Sequence, residues 1–443
     1  MENNFFDTEA ALQIQIPESA LPRIVVVGAG FAGLELTKRL SKGPFQVVLI
    51  DKNNYHQFQP LFYQVAMSGL EPSSIVFPLR KMFQKKKNVH FRMTTVEAVD
   101  TATRQVHTPI GSIPYDFLVI AVGAETNFFG NEHIAQKAIP MKSISEALYL
   151  RNSVLNDFEK ALSAKTTEDR QSLIDIVVVG GGPTGVEISG ALAEMRKFIL
   201  PKDYPELDAG KMQILLAEGS PRLLNGMSEE SSQAALEFLR KMDVQVKLDA
   251  MVTDYDGEWV ELNDGTRIRS KKVIWAAGII GNKVPGLPEA AILRGNRIRV
   301  DRYSRVQGLE NVFAIGDIAY MEDEAYPKGH PQVAQPAIQQ GRNLAANMLR
   351  SLSVSNWKPF QYKNLGSMAT IGRNRAVVDL PHYKTQGFFA WLIWLLVHLF
   401  QLIGFKNRVF VFINWVWNYM TYDQSLRLII RPRSPRHNPI HQG

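Results

Sequence analysis

Arg23-Ile24-Val25-Val26-Val27-Gly28-Ala29-Gly30-Phe31-Ala32-Gly33 joins a run of branched apolar residues to a glycine-rich turn. About 150 residues later, Ile176-Val177-Val178-Val179-Gly180-Gly181-Gly182-Pro183-Thr184-Gly185 repeats the pattern. In a strand–turn–helix of this kind the first glycine permits the bend, and the second lets backbone N–H groups approach a pyrophosphate. The third lets the helix pack closely, with its positive end facing the phosphates. One GxGxxG alone is weak evidence. Two in the same context predict two dinucleotide sites in one molecule, with Gly28, Gly30 and Gly33 at the first and Gly180, Gly182 and Gly185 at the second.

An acid at the end of the strand that follows such a turn accepts hydrogen bonds from ribose hydroxyls. For the first turn that acid is Asp51, eighteen residues after Gly33. For the second it is Glu218, thirty-three residues after Gly185, the longer interval being filled by an insertion over 200–205. A carboxylate at Glu218 repels a 2′-phosphate, so the second site is expected to prefer NAD(H) to NADP(H). Arg222, four residues on, works against that preference.

Outward from the turns, residues 23–27 and 46–50 read as buried parallel strands with a helix over 31–40 between them. Residues 117–121 form another apolar strand, ending at Gly123. Helical spacing runs over 145–162, and a second βαβ unit begins at Ile174, with its helix through Glu187, Leu192 and Met195 and its next strand over 212–217. Lys272–Gly278 ends that unit much as Leu118–Gly123 ends the first, and Asn311–Asp317 is a later strand running into a loop. The pattern predicts an α/β fold of two Rossmann-like dinucleotide-binding domains, the second inserted in the first. Residues 21–141 and 290–383 form the first domain, 142–289 the second, and 384–443 a C-terminal helical, membrane-associating segment.

The 443 residues are 45% hydrophobic and 21% charged, as in a globular protein, and contain no cysteine. Disulfides, thiolate metal sites and thiol catalysis are therefore excluded. The first twenty residues carry Glu2, Asp7, Glu9 and Glu18 and no Lys or Arg, which matches neither a secretory signal nor a transit peptide and implies cytoplasmic residence. The net charge of +7 is uneven: Lys384, Lys406, Arg408, Arg427, Arg431, Arg433 and Arg436 face the single acid Asp423 in the last segment. That segment is also the most apolar in the chain, which favours an anionic membrane surface over nucleic acid.

The apolar run that starts at Phe388 and reaches Ile403 would span about 24 Å as a helix, short of the roughly 30 Å hydrocarbon core. Continuing it through Val409–Tyr419 would place Lys406 and Arg408 near mid-bilayer. Two shorter helices joined at 404–408 and lying in the interface are predicted instead, with Trp391, Trp394, Trp415, Trp417 and Tyr419 at headgroup depth. A core or homodimer helix and a lone transmembrane helix are the other readings. His398 reads as a polar spot on an apolar helix, since no companion stands at metal spacing, and no metal site is expected.

With both turns, the Gly278 strand end and Gly316-Asp317, the chain resembles the flavoprotein pyridine-nucleotide reductases with two dinucleotide-binding domains. Within that group it resembles the type II NADH:quinone oxidoreductases, single-subunit NADH dehydrogenases that do not pump protons. The narrower marks are Asp51–Gln64, Gly182-Pro183-Thr184-Gly185-Val186-Glu187, Ala334-Gln335-Pro336-Ala337-Ile338-Gln339-Gln340-Gly341 and Ser367–Arg373. The resemblance implies a tightly bound FAD at the first site, held by Gly28, Gly30, Gly33, Asp51, Lys52, Gly123 and Asp317. It implies NADH as substrate at the second, held by Gly180, Gly182, Gly185, Glu218 and Gly278.

Gln335 and Gln339 stand four apart, on one face of a helix starting near Pro331. Neutral amides suit a quinone carbonyl or a flavin edge, and the resemblance places this pair at that site. Glu187, expected on the first turn of its helix, finds a sufficient explanation in the helix dipole; the resemblance gives it a place near the nicotinamide, steering it or assisting proton delivery. The activity implied is hydride transfer from NADH to FAD, then two-electron reduction of a membrane quinone (menaquinone or ubiquinone) at the cytoplasmic face of the cell membrane, with a homodimer allowed. One rival is a soluble reductase of a ferredoxin, a rubredoxin or a small oxidant; another is a flavin-binding, NADH-sensing protein with negligible turnover. Disulfide and sulfide:quinone reductases need cysteines and drop out.

Overall fold

The computed structural model describes residues 14–422 and 426–430. Glu2, Asp7, Glu9, Asp423, Arg431, Arg433 and Arg436, on which part of the charge reading rests, lie outside the described residues. In chain order the strands used below are β1 (Arg23–Val27), β2 (Gln46–Asp51), β3 (Val89–Met93), β4 (Phe117–Ile120), β5 (Ile139–Pro140), β6 (Ile176–Val179), β7 (Ile214–Ala217), β8 (Gln245–Lys247), β9 (Lys272–Trp275), β10 (Val312–Ala314), β11 (Ser367–Thr370), β12 (Ala376–Leu380) and β13 (Tyr383–Gln386). The helices are α1 (Phe31–Leu40), α2 (Phe62–Ala66), α3 (Ile144–Leu162), α4 (Pro183–Phe198), α5 (Glu229–Lys241), α6 (Ala334–Arg350), α7 (Phe388–Gln401) and α8 (Phe405–Thr421).

One compact unit takes residues up to Gln57, Val76–Asn127 and Ile279–Leu365. Its central sheet has the order β10-β4-β1-β2-β3, every pair parallel, with Val25 opposite Val48 and Leu118. Strands buried on both faces must be apolar throughout, and Ile24, Val25, Val26, Val47, Val48 and Leu49 are fully buried. Leu34, Leu36 and Leu40 form the buried face of α1, which packs on α6; a Cβ on Gly341 would stand 2.5 Å from the Ala32 carbonyl oxygen. Only glycine allows that approach. One face of the sheet is closed by Val25, Ile50, Leu118, Val300, Val306 and Phe360.

The second unit takes Phe58–Ile75, Phe128–Gly278 and the described residues from Gly366 on. Its parallel sheet, β5-β9-β6-β7-β8, repeats the order of the first, with β9 beside β6 as β4 lies beside β1. Helix α3 starts in a full capping box between Ser143 and Glu146 and receives α2. The antiparallel sheet β11-β12-β13 is tied to the start of α5: Asp379 accepts hydrogen bonds from Ser228 N (2.6 Å), Ser228 Oγ (3.0 Å) and Ser231 Oγ (2.7 Å). The turn after β11 lies on α4 at Gly190, where a Cβ would come within 2.8 Å of the Ile371 main chain.

These anchors explain where the units depart from the expected ranges. Residues 58–75, 128–141 and 366–383 pack with the second dinucleotide unit, whereas the sequence reading grouped them with the first; residues 279–289 go the other way.

In the tail, α7 and α8 are separated by Leu402, Ile403 and Gly404, and Arg408 Nε donates to the Leu402 carbonyl oxygen at 2.9 Å. Residues 405–408, expected to be the joint, are instead the first turn of α8. Ala390, Trp394 and His398, each four apart, form the buried stripe of α7, which Leu402 just beyond it continues. Trp394 is 1% exposed, so it is a core residue of this unit and not one at headgroup depth. Trp391 stacks on Tyr419 with centroids 5.5 Å apart, and Trp415 is half-buried. Of the five expected interface aromatics, Trp417 is the one exposed over more than half its surface, at 58%. Among the described residues no helix is long and apolar enough to cross a membrane.

Candidate functional site

Each unit presents the same turn at the ends of its sheet strands. Gly28 and Gly180 have φ of +102° and +106°, and a Cβ on either would lie 2.3 Å from the Ala121 oxygen or 2.7 Å from the Ala276 oxygen. Gly33 and Gly185 pack so closely that a Cβ would stand 1.9 Å from the Gly28 or Gly180 oxygen. Gly30 and Gly182, by contrast, face open space. Helices α1 and α4 begin there with no side-chain cap and no acid in the first turn. Helix starts with no side-chain cap, beside a backbone stripped of side chains, fit a pyrophosphate.

At the first turn Asp51 is held by the backbone. Oδ2 accepts from Ala29 N and Oδ1 from Asn53 N, both at 2.7 Å. Burial raises the Asp51 pKa, opposed by those two bonds and by Lys52. Lys52 itself is exposed. His56, buried on the same turn, donates from Nδ1 to the Ala29 oxygen at 2.9 Å, and burial pushes its pKa down to about 4. In the sequence His56 stands out only as one residue of the Asp51–Gln64 motif. The available signal was its place five residues after the acid, among apolar and aromatic neighbours.

Gly123 lies just past β4, its α-carbon open to space and its oxygen accepting from Asn282 N at 3.2 Å. Asp317 sits in a single 3₁₀ turn, Gly316–Ile318, directly after β10, and its carbonyl oxygen accepts from Gln332 Nε2 at 2.9 Å. The open glycine turn, the strand-end acid and this second strand-end turn fit the ADP half and linker of FAD.

The glutamines divide. Gln339 is committed to the main chain of Lys363, donating to its oxygen at 2.9 Å and accepting from its N–H at 3.0 Å. Its amide holds the loop at Lys363. Gln335 makes no hydrogen bond among the described residues and keeps both amide functions available. Gln340, which the pattern reading passed over, is 2% exposed and accepts from Gly316 N at 2.7 Å, bracing the Asp317 turn.

At the second turn Glu218 plays the part of Asp51. Its Oε2 accepts from Gly181 N, and its Oε1 accepts from Ser220 N at 2.8 Å and from Ser220 Oγ. Arg222 is turned onto Asn225, donating to its Oδ1 at 3.2 Å and its oxygen at 3.0 Å. Gly278, just past β9, lies against the Phe129 ring, which a Cβ would meet at 2.6 Å.

Glu187 is the fifth residue of α4, on its second turn rather than its first, and is 8% exposed. The dipole would lower its pKa; burial dominates and pushes it up to about 8. The Thr370 main chain and the Trp394 indole N–H lie on the carboxyl side and pull weakly the other way. The indole N–H falls short of a full hydrogen bond to any acceptor. Glu187, Gly190 and Glu194 recur at helical spacing on the face of α4 that receives residues 370–373, where Glu194 accepts from Arg373 N. The Arg373 guanidinium lies 3.8 Å from the Tyr419 ring centre and 3.7 Å from that of Tyr422, fastening α8 to the turn. Among the described residues no group of three or more His, Asp or Glu is placed to hold a metal.

The pyridine nucleotide-disulphide oxidoreductase profile matches residues 22–341, and the NDH2 C-terminal domain profile matches 364–422. The chain is 37% identical over 418 residues to the type II NADH:quinone oxidoreductase Ndh of Mycobacterium tuberculosis, covering 90% of this chain and 88% of that one. The chain belongs to the type II NADH:quinone oxidoreductase family. A second member, the type II NADH:quinone oxidoreductase of Staphylococcus aureus, is 29% identical over 80% of this chain and 89% of its own. The fold is that of NDH2 from Plasmodium falciparum solved in complex with NADH, with a TM-score of 0.83 at 22% identity over 93% of this chain and all of that one. The sulfide:quinone oxidoreductase of Aquifex aeolicus shares the fold more loosely, at TM-score 0.68 and 19% identity over 87% of this chain and 91% of that one. For this member of the type II family, the tail that carries α7 and α8 falls inside the matched C-terminal domain.

Proposed function

We infer that this chain oxidises NADH and reduces a quinone, without proton pumping. The observation that carries the reading is the duplicated glycine turn in a chain that matches a type II NADH:quinone oxidoreductase over 90% of its length. FAD bound at the first turn would supply the two-electron chemistry that links NADH to the quinone. Gly28, Gly30, Gly33, Asp51, Lys52, Gly123 and Asp317 would hold it, with His56 and Gln340 stiffening the turns. Gly180, Gly182, Gly185, Glu218 and Gly278 would hold NADH, Glu218 presenting its carboxylate to the ribose hydroxyls. Glu187 keeps its proton at neutral pH and serves as a buried proton store. Gln335 offers a neutral amide whose hydrogen bonding survives a change of redox state.

Membrane attachment belongs to the same proposal. Phe389 (70% exposed), Leu396 (55%), Phe400 (67%) and Phe405 (82%) present apolar surface on α7 and at the start of α8. Exposure on this scale marks an interaction surface. Lys406 and Arg408 supply the cations for an anionic leaflet. The attachment is monotopic, at the cytoplasmic face, and gives a lipid-soluble quinone access without leaving the bilayer; a homodimer would instead bury the same face.

Anaerobic stopped-flow absorbance tests the reading. NADH should bleach the flavin, and menaquinone or ubiquinone analogues should restore its colour within the turnover time. A flavin bleached by NADH but restored only by ferredoxin-type acceptors would favour the soluble reductase, and one that does not bleach would favour the sensor.

A further inference from the structure

Within the second unit, Trp415, Gln64 and Tyr63 form a directed hydrogen-bond chain. Trp415 Nε1 donates to Gln64 Oε1 at 2.7 Å, and Gln64 Nε2 donates to the Tyr63 hydroxyl oxygen at 2.8 Å. The direction is forced by chemistry. An indole N–H can only donate, so the amide oxygen must face Trp415 and the NH₂ must face Tyr63. The phenol oxygen is thereby an acceptor, and its own proton is left for another group.

Tyr63 is 9% exposed, and its hydroxyl makes no second hydrogen bond among the described residues. A buried donor left without an acceptor is costly. Its surroundings say what acceptor would suit. The Trp394 ring meets Tyr63 edge-on with centroids 6.1 Å apart, Trp415 lies 6.3 Å from Trp394, and burial, with the Glu187 carboxyl second, raises the Tyr63 pKa. Aromatic faces, a phenol that stays protonated and a protonated acid fit a flat apolar ring with carbonyl acceptors and no donors of its own.

We propose that the Tyr63 hydroxyl donates a hydrogen bond to a carbonyl oxygen of the quinone, with Gln64 and Trp415 as positioning residues that fix its direction. The proposal rests on the quinone-reductase reading above. It also gives α8 a part in the site, since Trp415 sets the amide that sets the phenol.

The test uses the flavin-loaded enzyme and two conservative variants, Tyr63→Phe and Trp415→Phe. Binding of a redox-inert quinone analogue is read by tryptophan fluorescence quenching, alongside KM for quinone and for NADH and the rate of flavin bleaching by NADH. Tyr63→Phe should weaken analogue binding and raise the quinone KM about 5–10-fold, the loss of one hydrogen bond, with NADH bleaching unchanged. Trp415→Phe should act in the same direction by about 2–3-fold, because Gln64 can then turn over. An active wild type whose Tyr63→Phe variant binds the analogue equally well overturns this proposal alone. So does a variant with unchanged analogue binding but an upward shift of the pH profile, which would assign the phenol to Glu187. A wild type that reduces no quinone overturns the functional reading itself.

Discussion

Asp51 and His56 grip opposite ends of one residue: the carboxylate accepts the Ala29 N–H at 2.7 Å while the imidazole donates to the Ala29 oxygen at 2.9 Å. The first glycine turn is therefore clamped from both sides, and the clamp is pH-sensitive. His56 has a folded pKa near 4 against an ordinary 6.5, so the folded state binds fewer protons than the unfolded one between those values. Stability from the buried neutral ring is complete above pH 6.5 and is lost as pH falls towards 4.

Replacing His56 by Leu leaves the Ala29 carbonyl without its donor, at a cost of about 1–3 kcal/mol. Flavin affinity should fall about tenfold or more at pH 7. Fluorescence of FAD released through an ultrafilter reads the effect. Wild type should hold its flavin down to about pH 4, where the ring takes a proton in the folded state, and a His56→Leu variant that retains flavin as wild type does would remove His56 from the clamp.

Glu218 bonds both to Gly181 in the turn and to Ser220, so the acid proposed for the ribose is pre-placed. Arg222 is held by Asn225 and leaves a 2′-phosphate without a cation. Glu218→Arg replaces repulsion by attraction, and the ratio of kcat/KM for NADH over NADPH should fall at least tenfold, an order-of-magnitude expectation for one charge reversal. An unchanged ratio would place the ribose elsewhere.

How much of this was legible is best judged residue by residue. The sheets, their helices and the two strand-end acids follow from apolar runs and glycine spacing, because backbone geometry itself demands those residues. Periodicity reports that a side chain is buried but not what it is buried against. Helix α7 is apolar on every face, so its spacing could not tell that Trp394 turns into the protein while Phe389 turns out. Gln339 and Gln335 look alike in sequence, and the difference is made by Lys363, twenty-four residues away. Residues 366–383 join the second unit through Asp379 and Ser228, a pairing across 151 positions that no local pattern records.

The exposed face of the tail can be separated from its buried stripe. Phe389, Leu396, Phe400 and Phe405 are each more than half exposed, so changing all four to Ser should leave the melting temperature of the protein within a few degrees. Each side chain inserted into a bilayer interface is worth roughly 1–2 kcal/mol. Partition into vesicles with anionic lipid should therefore drop by more than about a hundredfold in a flotation assay. Full retention would move the attachment to another surface.

Glu187 is the strictest case, because its protonation is written into both stability and turnover. Its folded pKa is about 8 and its ordinary value 4.5, so between those limits the unfolded chain has released the proton and the folded chain has not. Stability is unaffected below pH 4.5, falls as pH rises to 8, and is level above, a span worth a few kcal/mol for a carboxyl this buried. Glu187→Gln removes the titration without removing the shape. Chemical denaturation at pH 5 and pH 8 should show the variant gaining on wild type as pH rises, the opposite sign to the His56 effect. If the carboxyl also hands its proton on during quinone reduction, flavin reoxidation in the variant should slow about 10²-fold and lose the inflection near pH 8. NADH-driven bleaching should persist. A stability gain with normal reoxidation would leave Glu187 a buried acid that the reaction does not use, and Tyr63 beside it would have to answer to the quinone alone.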